Sequence, residues 1–161
     1  MYVKRFLIFC LLIIFLTGCS KKNSHPDQEI KIYMVALEGT SLSGKVFGCN
    51  DKLISILKNI PYSDNMLEET LNILIAEKDT DELKNFIKGP QLMLFQVNIA
   101  GGVADIYFTG DFLISGACDI PRIKEQITQT VGQFTEIKKS NIYINNQTLD
   151  SYLKIAKDGF N

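Results

Sequence analysis

Polar and apolar residues alternate along 29–39, EIKIYMVALEG, so that Ile30, Ile32, Met34 and Ala36 fall on one side of an extended chain. A period of two predicts a strand. TSLSGKVFGCN, which follows, is rich in Ser and Gly and reads as a loop that delivers Cys49. KLISILKNIP is short, rich in Ile and Leu and stopped by Pro61; a strand is preferred there over a helical turn. The period then changes. Leu67, Leu71, Leu74 and Ile75 recur at helical spacing, with Ser63, Asp64 and Asn65 as N-cap candidates and Asn65 with Glu68 as a capping box. After an interruption at KDTD, Leu83, Phe86 and Ile87 predict a second short helix closed by Gly89 and Pro90.

The β pattern is clearest in LMLFQVNIAGGVADIYFTGDFL. Phe95, Val97 and Ile99 alternate with Gln96 and Asn98, Gly101-Gly102 makes a tight turn, and Ala104, Ile106 and Phe108 alternate on the return strand, which together predict a hairpin. Ile120, Ile123, Ile127, Val131 and Phe134 then mark the buried stripe of a helix, with Asp119 as its N-cap and Pro121 tolerated in the first turn. SNIYINNQTL predicts a final strand with a turn at Asn145-Asn146, and the tail from Asp150 a docked turn of helix. The order is β-β-α-β-β-α-β, an α+β layer with helices packed on a mainly antiparallel sheet.

The first residues bear on compartment. Lys4 and Arg5 precede an unbroken apolar run from Phe6 to Leu16, about half of the roughly 20 residues a membrane-spanning helix needs. This is the pattern of a secretory signal peptide, and LTGC at 16–19 resembles the lipobox of bacterial lipoproteins. That resemblance implies lipid on the Cys19 sulfur and cleavage after Gly18. Residues 1–18 are then the lipoprotein signal peptide, 19–29 the lipidated cysteine and a flexible tether, and 30–161 one folded domain. The implied location is extracytoplasmic, on the cell membrane or on an outer membrane if the cell has one.

Charge and cysteines narrow the chemistry. Removing residues 1–18 takes away two of the 17 basic side chains and none of the 18 acidic ones. The charges are not clustered as a nucleic-acid surface requires. His25, the sole histidine, lies in the tether, so histidine-dependent chemistry in the domain is not expected. With Cys10 in the signal peptide and Cys19 taken by lipid, Cys49 and Cys118 remain. In an exported domain they read first as a disulfide; buried free thiols and a reactive thiol are the alternatives.

Residues 45–155 resemble the GerMN domain of sporulation and germination proteins and of many bacterial lipoproteins. The match is carried by GCNDKL, ADIYFTGDFLISGACDIPRI, KEQITQTVGQF and IYINNQTL. A subgroup pairs Gly-Cys-x-Asp with Gly-x-Cys-Asp-x-Pro-Arg, and Cys49 and Cys118 fill those cysteine positions, so the resemblance also implies their crosslink. Asn145-Asn146-Gln147 stands where a Gly-containing turn is common in the family, and the chain has one such domain where the sporulation protein has two. The resemblance implies a non-catalytic, sporulation-related envelope module with no agreed ligand.

Function is therefore expected to be that of a lipid-anchored cell-envelope interaction module serving protein-complex assembly. The alternative is a domain that binds peptidoglycan or another glycan through Asp51, Asp119 and Arg122, which would converge beside a Cys49–Cys118 bridge. The same three residues also read as a turn residue, a helix cap and a salt-bridge partner. Glu68-Glu69 and Asp79 with Asp81 are carboxylate pairs on a solvated face or loop. No phosphate loop, nucleophile elbow or metal triad accompanies them, so no enzyme, cofactor, metal site or nucleic-acid partner is expected.

Overall fold

The segments of period two form strands, but these divide between two sheets. The computed structural model describes residues 26–159; the segment expected to be a signal peptide, Cys19 and the expected tether through His25 lie outside the described residues. The elements are β1 (Gln28–Ala36), β2 (Lys45–Val46), β3 (Lys52–Ile60), α1 (Met66–Ala76), β4 (Met93–Ala100), β5 (Val103–Thr109), α2 (Asp119–Val131), β6 (Lys139–Ile144), β7 (Gln147–Thr148) and α3 (Leu149–Asp158). One sheet has the order β1-β3-β2 and the other β4-β5-β6-β7. The class is α+β, and pairing is antiparallel except between β5 and β6, which run parallel because α2 carries the chain back between them. Helix α1 packs against both β1 and β4, and α2 against β1, so the helices join the sheets around a core of Ile32, Leu71, Leu74, Ile106, Phe108, Ile123 and Ile127.

Three sequence expectations are corrected. No helix forms around Leu83–Ile87. Lys84 instead exchanges two backbone hydrogen bonds with Val35, its N–H donating at 2.7 Å and its carbonyl accepting at 3.0 Å. Buried Asn85 holds that segment against the end of α1, donating from Nδ2 to the carbonyls of Leu74 at 2.7 Å and Glu77 at 2.9 Å. Asn65 forms no side-chain cap on α1; its carbonyl accepts from Glu69 N–H instead. The tail is a ten-residue helix rather than a single turn, capped by Thr148 Oγ1, which accepts from Ser151 N–H, and anchored by buried Leu149 and Leu153.

The two sheets treat their outer edges differently. Along β1, alternate residues turn their backbone groups away from β3, and from Lys31 to Val35 each meets a partner. Lys31 bonds to the Gln133 amide through both N–H and C=O. Tyr33 donates to Thr130 Oγ1 and accepts from Gln126 Nε2, and Val35 bonds to Lys84. Gln126 is fully buried and also accepts from Phe86 N–H at 2.7 Å. From Lys31 to Val35 this edge is closed.

The β4 edge is open. The two-residue turn at Gly101-Gly102, with φ of +59° and +79°, sets the register Ala100↔Val103, Asn98↔Asp105 and Gln96↔Tyr107. In an antiparallel pair the residues between such positions point their N–H and C=O outward, which here are Val97 and Ile99. Among the described residues nothing bonds to that side of β4. The expected single face of Phe95, Val97 and Ile99 is broken by a bulge between Leu94 and Gln96, which leaves Phe95 69% exposed while Val97 still packs on the core.

Candidate functional site

Two loops far apart in sequence are knitted together by every chemically distinctive residue they carry. The chain enters β3 through a tight 3-10 turn, Gly48–Asn50, with Cys49 and Asn50 both in the left-handed region at φ of +60° and +57°. This turn presents Cys49 to Cys118, and the two form a disulfide with Cα atoms 5.9 Å apart. Gly48 lies against the ring of Pro121; a Cβ there would sit 2.9 Å from Pro121 Cγ, too close for any larger residue. The Gly, the Pro and the bridge thus hold the start of α2 against the start of β3.

Asp51, Asp119 and Arg122 converge beside this bridge. Arg122 Nε donates to Asp51 Oδ2 at 2.6 Å and Nη1 to Asp119 Oδ1 at 2.9 Å. The remaining carboxylate oxygens are also engaged. Asp51 Oδ1 accepts from Glu38 N–H and Asp119 Oδ2 from Ser115 N–H. Asp119 is therefore the first residue of α2 and ties down the turn before it, rather than capping the helix with its side chain. The Arg122 guanidinium lies over the Phe86 ring, 4.8 Å from its centroid.

Burial governs the electrostatics here. Asp51 is fully buried, and only 17% of the Arg122 side chain is exposed. Burial alone would make Arg122 easier to deprotonate; the two carboxylates outweigh it and hold the guanidinium above its ordinary value. Among the described residues no buried side-chain nitrogen or oxygen lacks a partner. The charges of the trio are directed at one another, and all four carboxylate oxygens have a donor.

A second site was not anticipated. On the core-facing side of the β4 edge, a cleft of about 440 Å³ opens between the strand and the loop leading into α1. Met66, Leu67, Val97 and Ile99 line its floor, and its charged residues are Asp64, Glu68 and Glu136. The sequence signal was present in MLFQVNIA, eight consecutive strand residues with no charge and no Pro, which are the usual devices that blunt an edge.

The fold is shared with solved structures. The first GerMN domain of the sporulation protein GerM from Bacillus subtilis superposes with a TM-score of 0.56 at 18% identity, over 75% of this chain and 85% of that one. The tandem GerMN domains of the same protein align with a TM-score of 0.54 at 12% identity, over 83% of this chain and 43% of the tandem. The chain therefore spans less than half of the two-domain protein, and it folds as a GerMN-like α+β domain. No family model and no curated protein matches the sequence.

Proposed function

We propose that the protein is a lipid-anchored, non-catalytic interaction domain of the bacterial cell envelope, held to the membrane through Cys19 and docking a protein partner on the β4 edge. The observation that carries this reading is the contrast between the edges. The side chains of Gln126 and Thr130 on α2 and of Gln133 two residues beyond it, with the backbone of Lys84, close every outward backbone group of β1 from Lys31 to Val35, whereas β4 presents Val97 and Ile99 unpaired beside exposed Met93 and Phe95. An exposed, uncharged edge is a template for another chain. The polar cluster at Arg122 supports the same reading, because all four carboxylate oxygens of Asp51 and Asp119 and the Nε and Nη1 donors of Arg122 bond within the fold. The lipobox-like LTGC supports the anchor, and the shared fold with domains of a sporulation protein supports an envelope setting.

The test is photocrosslinking in cells, with a photoreactive amino acid at Phe95 in the full chain and, as control, at Leu57, which is 54% exposed on the other sheet. The expected result is one discrete protein adduct from position 95, absent from position 57 and recovered with membranes. An alkyne fatty acid should label the wild type and leave Cys19→Ser unlabelled. Equal smears from both positions would remove the docking face from the reading, and a labelled Cys19→Ser would remove the anchor.

A further inference from the structure

We propose that the partner docks on β4 as an added strand, through a short extended segment that turns a basic side chain and an apolar one, at alternate positions, into the cleft beneath the edge. This rests on the reading of β4 as the docking face and adds the chemistry of what it takes.

The backbone sets the mode. Val97 and Ile99 face the open side two residues apart, the repeat at which an extended chain offers its own N–H and C=O groups. The bulge at Phe95 bends the strand away from that line, so the usable edge runs from Gln96 to Ala100 and suits a segment of about five residues. Side chains directly across a strand pair share a face of the sheet. Those of an added strand opposite Val97 and Ile99 therefore descend on the core-facing side, where the cleft lies.

The cleft sets the side chains. Met66, Leu67, Val97 and Ile99 offer an apolar floor, and Asp64, Glu68 and Glu136 are its charged lining with no Lys, Arg or His among them. Asp64 and Glu68 flank the N-terminus of α1, where the helix macrodipole already favours them. Glu136 does not share that origin; it comes from the turn before β6, so acidity converges on the cleft from two parts of the chain. A metal ion is not the complement, since among the described residues no group of three His, Cys, Asp or Glu is placed to hold one. A Lys or Arg stem lying along the apolar floor with its head at the acids fits both features.

Fluorescence anisotropy with the full chain in detergent micelles tests this. The probe is a labelled peptide alternating Thr with Lys and Val on one face; two others replace Lys by Glu or carry N-methyl groups on alternate amides. The basic peptide is expected to bind at least tenfold more tightly than the acidic one, and N-methylation to abolish binding. Ile99→Lys, at a half-exposed position, should weaken binding tenfold or more without lowering the melting temperature. Glu136→Lys should narrow the preference for the basic peptide. Equal binding of the N-methylated peptide would overturn strand addition, and equal binding of the acidic peptide would overturn the charge assignment. No peptide binding alongside an intact position-95 crosslink would overturn this proposal and leave the docking face standing; loss of both would overturn both.

Discussion

Changing Arg122 to Ala is expected to lower the free energy of unfolding by about 3–5 kcal/mol, the range for removing one partner of a buried ion pair. Asp51 is fully buried, and Arg122 Nε is its side-chain counter-charge at 2.6 Å. Truncation leaves a carboxylate in a low-dielectric setting with only Glu38 N–H to satisfy it. Arg122→Lys should recover little. A single ammonium cannot reproduce the planar fork that reaches Asp51 through Nε and Asp119 through Nη1. The paired change Asp51→Leu with Arg122→Met should be milder than Arg122→Ala, since it removes both charges together. Urea unfolding of the three variants checks this; an Arg122→Ala protein as stable as wild type would show that the network contributes nothing to the fold.

Loss of the Cys49–Cys118 bridge should cost a similar amount. The crosslinked residues are 69 apart in sequence, and constraining a loop of that length in the unfolded chain contributes about 4 kcal/mol on the entropic model. The native turn adds to the dependence, because Cys49 occupies a left-handed backbone position that a residue other than Gly, Asn or Asp rarely adopts. The double variant Cys49→Ser, Cys118→Ser should melt with the reduced wild type and well below the oxidised one. Coincident melting of all three would mean the bridge is idle.

Much of the fold was legible where the pattern is local. Alternation in β1 placed Ile30, Ile32, Met34 and Ala36 on the buried face, and the hairpin placed Ala104, Ile106 and Phe108 there as well. The convergence of Asp51, Asp119 and Arg122 was legible because each lies within four residues of one of the two bridging cysteines. The Asn145-Asn146 turn also formed, with φ of +48° and +65° at the two residues; Asn tolerates the left-handed region nearly as Gly does.

What stayed hidden depends on polar side chains that bond across long stretches of chain. Nothing in the pattern around Leu83–Ile87 shows that Lys84 will pair with Val35 or that Asn85 will terminate α1, so helical spacing there misled. The parallel placement of β6 beside β5 is equally invisible, because periodicity fixes faces and not neighbours. The closed β1 edge and the open β4 edge escaped notice together. Gln126, Thr130 and Gln133 look like the solvent face of an amphipathic helix and its end, yet they are the residues that seal β1.

That asymmetry is the centre of the functional reading, and amide hydrogen exchange by NMR on the oxidised full chain in micelles tests it most directly. The amides of Lys31, Tyr33 and Val35 should exchange slowly, held by Gln133, Thr130 and Lys84. Those of Val97 and Ile99 should exchange much faster than their neighbours Gln96, Asn98 and Ala100, which bond inward to β5. Slow exchange at Val97 and Ile99 in the isolated protein would contradict it, since the β4 edge would then already be covered and no longer available to a partner.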